Sequence, residues 1–133
     1  MSNKIFMDTS FILALQDRRD QYHAQAQDLA ARYEGLPLLL TDAILLEVGN
    51  ALARGHKAEA AALIDELMAA DEVEIVSLTP QLFAQAFAYY KAHQDKEWGL
   101  IDCLSFVVML EEGVTSALTF DHHFRQAGFQ VLQ

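Results

Sequence analysis

The sequence predicts an α/β domain with a mainly parallel sheet, and three observations point there. Five short apolar runs alternate with segments of helical periodicity along the 133 residues, the pattern of strands joined through helices. Ile5-Phe6-Met7 and Leu38-Leu39-Leu40 are apolar at every position, as strands covered on both faces must be. The two prolines and six glycines read as punctuation between the periodic segments.

Lys4 to Met7 is the first strand, and Asp8-Thr9-Ser10 starts a short helix running to about Gln16. A helix from Asp20 to Tyr33 follows, with Tyr22, Ala26, Leu29, Ala30 and Tyr33 at core spacing, and Gly35 stops it. Leu36 to Leu40 is the second strand. Thr41 caps a helix to about Arg54, with Gly55 beyond it. The next helix carries Ala60, Leu63, Ile64, Leu67 and Met68 on one stripe. Val73 to Leu78 is the third strand, closed by Thr79-Pro80, which opens a helix to about His93. On that helix Leu82, Ala86 and Tyr89 form one stripe and Phe83, Phe87 and Tyr90 a second. This is wider than one core contact requires and points to a partner surface. Leu100 to Glu111 is apolar on almost every side and is expected to be buried. After Gly113, Ser116 to Phe120 is the fourth strand, ending at Asp121. A short helix and the strand Phe129 to Leu132 complete the chain.

The length fits one domain, taken as residues 1–133, and 53% hydrophobic residues exclude a disordered chain. No stretch approaches the roughly 20 consecutive apolar residues of a membrane-spanning helix. Met1 to Asp8 holds no apolar run of signal-peptide length, so neither insertion nor export is expected. The single cysteine, Cys103, forbids an intrachain disulfide and fits a reducing cytoplasm. The charge is harder to place. Nine Lys and Arg stand against nineteen Asp and Glu, a net −10, and such a field repels a polyanion. Either the substrate is not nucleic acid, or bound cations and local basic spots invert the field where it matters.

Four carboxylates stand out. Asp8 and Asp121 each follow an apolar strand, and in a parallel sheet both strand ends reach the edge where ligands bind. Each also suits the N-cap of the helix behind it. Glu47 lies mid-helix, one turn from Ala43, Ile44 and Ala51, which sets it on the apolar stripe. A buried unpaired carboxylate there is costly unless it has a partner such as Arg54 or a place near solvent. Asp102 opens the most apolar helix, where an anion also favours the helix N-terminus. Gathered at one edge, four ionised acids would repel. Arg125 is the only Lys or Arg after Lys96, so a divalent cation is the natural counter-charge. Mg²⁺ or Mn²⁺ suits oxygen donors. No Cys or His pair has zinc spacing, and His122 and His123 read as surface or capping residues before ligands.

Met7-Asp8-Thr9-Ser10, Glu47 to Arg54, Asp102 to Phe106, and Leu118 to Phe124 with Ala127-Gly128-Phe129 together resemble the PIN-domain ribonucleases. Within them, the VapC-type toxins of toxin–antitoxin pairs are most similar. The resemblance runs the length of the chain and departs at Ile101, where many relatives carry a hydroxyl residue. It implies a three-layer sandwich of four to five strands with helices on both faces. It also implies Mg²⁺- or Mn²⁺-dependent hydrolysis of RNA phosphodiesters to 5′-phosphate and 3′-hydroxyl ends. A homodimer and a cognate antitoxin that blocks the cleft are implied as well. Asp8 and Asp102 would be the central ligands, Glu47 would orient or deprotonate the attacking water, and Asp121 would complete the shell or hold a second metal. Ser10 and Thr119 would fix carboxylate rotamers. Arg18, Arg19, Lys91 and Lys96 are candidate phosphate contacts, though solvated surface charge is the better account of them.

Other classes fit less well. A phospho-acceptor receiver domain wants an acidic pair after the first strand and a late lysine, but Thr9 follows Asp8 and no late lysine exists. A haloacid-type phosphatase wants Asp-x-Asp, and Ser10 fills the second position. A PIN-like domain kept only as a binding module stays open, with the intact acids against it.

Overall fold

In the computed structural model, which describes residues 3–133, five parallel strands form one sheet in the order β3-β2-β1-β4-β5. The first two positions of the expected 1–133 domain lie outside the described residues. In chain order the elements are β1 (Ile5–Met7), α1 (Thr9–Gln16), α2 (His23–Arg32), β2 (Leu38–Thr41), α3 (Asp42–Ala51) and α4 (Lys57–Ala69). They continue with β3 (Val73–Val76), α5 (Pro80–Ala92), α6 (Leu100–Glu112), β4 (Ser116–Leu118), α7 (His123–Gln126) and β5 (Gln130–Val131). No helix among the described residues is long and apolar enough to cross a membrane.

The strand order fixes where the chain reverses. From β1 the path steps outward through β2 to β3, then returns across the sheet to β4 and on to β5. With right-handed crossovers the first two connections and the last two cover opposite faces. Accordingly α1 packs on α2 and α3, and α3 on α4, while α6 packs on α5 and α7. Neighbouring β1 and β4 therefore send their chains to opposite faces, and the crevice at their carboxyl ends is the topological switch point of the sheet.

Core residues follow from the apolar runs. Phe6, Leu39 and Ala117 of the central strands are fully buried. In α6 every residue from Cys103 to Met109 is buried, as its uniform apolarity predicts. Phe106 meets Phe124 edge to face at 5.0 Å and Trp98 at 5.2 Å, an arrangement aromatic quadrupoles favour. Phe83, Phe87 and Tyr90 on the second stripe of α5 are 46%, 42% and 43% exposed, so that face is left to solvent.

Several local expectations need correction. The fourth strand stops at Leu118, not Phe120. The last rung to β1 is the Asp8 N–H donating to the Leu118 carbonyl, after which β1 has turned into α1 and no partner remains. Gly49 is not punctuation but lies inside α3, where a Cβ would sit 3.8 Å from Ile64 Cδ1. Met68 is exposed rather than part of the core stripe of α4. Tyr22 precedes α2 and is 38% exposed, because its ring lies flat on Phe120 at 4.5 Å instead of entering the core.

Candidate active site

At the switch point the backbone delivers Asp8 directly from β1. Asp8 is the N-cap of α1, so the capping reading and the site reading hold of the same side chain. It is buried, and its Oδ2 accepts from Ser10 Oγ–H (2.9 Å), the Ser10 N–H (3.4 Å) and Thr119 Oγ1–H (2.9 Å). The two hydroxyl oxygens lie 3.1 Å apart. Ser10 Oγ accepts the Phe120 N–H and Thr119 Oγ1 accepts the Asp121 N–H, each at 2.9 Å. Two hydroxyls thus tie the end of β1 to the segment after β4 and aim Asp8 in one rotamer.

Burial dominates the electrostatics of Asp8. Desolvation pushes its carboxyl from 3.8 up to about 6, the Ser10 and Thr119 hydrogen bonds hold it back, and the charge of Asp102 raises it further. No ion pair to Asp8 exists among the described residues, whose carboxylate pairs fall elsewhere.

Asp102 lies in the first turn of α6, where Oδ2 accepts the Gly99 N–H at 3.1 Å and so caps the helix. The same oxygen is 3.0 Å from His123 Nδ1. Asp121 Oδ1 accepts the His123 N–H at 2.9 Å and lies 3.2 Å from the same Nδ1. A proton on Nδ1 therefore serves both carboxylates, and His123 bridges α6 to the segment after β4. With His122, the ligand atoms of Asp121 and His123 lie within 4.8 Å of one another. His123 is the residue that sequence reasoning passed over. Its signal was the spacing Asp-x-His at a strand-to-helix turn, which reads as surface until α7 is placed against α6.

Glu47 sits at the border of the apolar stripe and not within it. Ala43, Ile44, Leu45 and Val48 are buried, whereas Glu47 is half-buried and Leu46 and Asn50 are exposed. Its partner is not Arg54 but Thr9, whose Oγ1–H donates to Glu47 Oε1 at 2.6 Å. Thr9 follows Asp8 in the chain, so this bond ties α3 to the start of α1 beside Asp8. Asp121 arrives after two further residues beyond β4, not directly from the strand.

Arg18 and Arg19 line a groove with Arg54 and His56 beyond the far end of α1, and Asp17 faces Arg19 at 3.6 Å. Lys96 faces Asp95 at 3.6 Å, and Lys91 lies over the Phe87 ring at 4.7 Å.

Asp8, Asp102 and Asp121 are each anchored through one carboxylate oxygen, which is what a monodentate metal ligand needs. All are hard oxygen donors, and the buried Asp8 is set among neutral hydroxyls with another carboxylate beyond. That donor set fits a hard divalent cation.

A parallel sheet in the order β3-β2-β1-β4-β5 with a buried aspartate at its switch point defines a class, and the family described as PIN domain matches residues 5–130. The chain belongs to the PIN-domain family. Within it the chain is of VapC type. It is 37% identical over 128 residues to the 23S rRNA-specific endonuclease VapC20 of Mycobacterium tuberculosis, a match covering 94% of this chain and 95% of that one. The crystal structure of M. tuberculosis VapC20, described as a sarcin–ricin loop cleaving toxin, superposes with a TM-score of 0.85 at 30% identity, over 94% and 95% of the two chains. VapBC2 of Rickettsia felis, solved on a promoter DNA fragment, shares the fold at a TM-score of 0.67 and 12% identity, over 98% and 97% of the chains.

Proposed function

We propose that this chain is a divalent-metal-dependent endoribonuclease, the toxin of a type II toxin–antitoxin pair, acting on structured ribosomal RNA. The observation that carries the reading is the buried Asp8, raised to about 6 with no cationic partner among the described residues and tied by the Thr119 hydroxyl, 111 positions away, to the segment that carries Asp121 and His123. The identity to an endonuclease that cuts 23S rRNA supports the substrate class. Asp8 and Asp102 would hold Mg²⁺ or Mn²⁺, with Asp121 completing the set. When bound, such a cation lowers the pKa of water and stabilises charge on phosphoryl oxygens.

The chain's own residues supply the rest. Ser10 and Thr119 hold Asp8 in its rotamer, and His123 keeps Asp102 and Asp121 at a fixed separation. Glu47, oriented by Thr9, would accept a proton from the attacking water. The water must lie within hydrogen-bond reach of Glu47 for this role. A homodimer, a cognate antitoxin that covers the crevice, and a cytoplasmic setting complete the reading. The exposed aromatic face of α5 offers area for such contacts.

The test is cleavage of an oligoribonucleotide of sarcin–ricin loop sequence by the wild-type protein and by Asp102→Asn, with Mg²⁺, Mn²⁺ or chelator. Cleavage by wild type with metal, and loss of at least a hundredfold in the variant and in chelator, is expected. Equal rates with and without metal overturn the reading. Metal-independent RNA binding without cleavage would instead favour the binding-module alternative.

A further inference from the structure

One cavity, of about 200 Å³, opens beside the acids and is lined by Tyr22, Gln25, Phe120, Asp121, His122 and Arg125, among others. It falls below the roughly 300–1,000 Å³ of sites for drug-sized ligands, and so is scaled to one small ring system. Its wall is aromatic. Phe11 is buried in the core and stacks on Phe120 at 6.1 Å. Phe120 in turn carries Tyr22 at 4.5 Å and an interplanar angle of 4°. This three-ring ladder runs from the core outward and ends in Tyr22, 38% exposed.

The ladder is locked to the site. The Phe120 N–H donates to Ser10 Oγ, which itself donates to Asp8, and Phe120 adjoins Asp121 in the chain. Gln25, His122 and Arg125 place hydrogen-bonding groups around the same cavity.

We propose that this cavity stacks one unpaired base of the RNA substrate, adjacent to the phosphate presented to the acids, with Tyr22 as the stacking ring. The inference rests on the ribonuclease reading above and adds the part of the substrate that is gripped. Recognition of RNA commonly uses unstacked bases laid on aromatic rings. Stacking also answers the charge of this chain. The net charge is −10, and Lys4, Arg19, Arg32 and Lys96, four of the nine basic residues, already face a carboxylate. Of the other five, Arg125 alone lines this cavity, whereas a π-face attracts a base regardless of the sign of the field.

The experiment measures metal-dependent cleavage of the sarcin–ricin loop oligoribonucleotide by wild type, Tyr22→Phe and Tyr22→Ala. Abasic nucleotides are placed one at a time around the cut. Tyr22→Ala is expected to raise KM roughly 5- to 100-fold with kcat little changed, and Tyr22→Phe to stay near wild type. One abasic position should cost wild type a similar factor and cost Tyr22→Ala nothing further. If Tyr22→Ala fails to fold, Tyr22→Leu, which keeps bulk without a π-face, takes its place. An unchanged KM, or an abasic penalty equal in both proteins, overturns the inference while leaving the ribonuclease reading intact. Absence of metal-dependent cleavage by wild type overturns both.

Discussion

Asp8→Asn should make the metal-free protein more stable while destroying its activity, and the size of the gain follows from burial. Asp8 is 5% exposed, and its carboxyl is raised from 3.8 to about 6, chiefly by desolvation. A folded-state pKa above the unfolded one means that the native state binds the proton more tightly. The stability contributed by Asp8 is therefore fully present below the unfolded value and is lost as pH climbs toward 6. A displacement of about 2 pH units at ~1.36 kcal/mol each puts the cost of the ionised group near 3 kcal/mol at neutral pH. Asn carries no charge and keeps an oxygen for Ser10 and Thr119. Urea unfolding in chelator should show Asp8→Asn ahead by up to about 3 kcal/mol at neutral pH, and near parity with wild type below about pH 4. A variant less stable than wild type at neutral pH would refute the reasoning, because the hydroxyl hydrogen bonds to the charged form would then outweigh desolvation.

Thr119→Val removes the donor to Asp8 and the acceptor of the Asp121 N–H. It should lower unfolding free energy by about 1–3 kcal/mol and cut kcat more than it raises KM, read by urea titration and steady-state cleavage. Titration with Mg²⁺ or Mn²⁺ should raise the melting temperature of wild type, by about 2.7 kcal/mol of stability at a hundredfold excess over Kd, and leave Asp8→Asn unmoved. Gly113 caps α6 at φ +68°, so Gly113→Ala should destabilise by about 1 kcal/mol with cleavage unchanged, and an unaltered melting midpoint would contradict it.

The number and kind of strands were legible because each is a short apolar run that must be covered on both sides. Their order was not, since nothing local in Val76 or Ala92 says that the chain recrosses the sheet before β4. Asp8 was legible as a strand-end acid and Ser10 and Thr119 as hydroxyls that fix carboxylate rotamers, but not that Thr119 would serve Asp8. Helical periodicity placed Glu47 near the apolar stripe but could not say how far α3 is rotated against α1, and that rotation decides whether Thr9 or the core receives it. His123 was hidden for the opposite reason. It follows two polar residues, Asp121 and His122, and reads as one more surface group until α7 meets the first turn of α6. Tyr22 fits a core pattern with Ala26 and Leu29, yet Phe120, nearly a hundred positions later, draws its ring to the surface.

The bond from Thr119 to Asp8 spans 111 positions, and that from Phe120 to Ser10 spans 110. A polypeptide still being made therefore holds β1 without β4, one of the two strands that flank it, and Asp8 without one of the hydroxyls that aim it. His123, which spaces the other two acids, comes later still. On the proposed reading, Asp8 takes its working rotamer only after β4 and the segment behind it have been made, a delay written into the connectivity of the sheet.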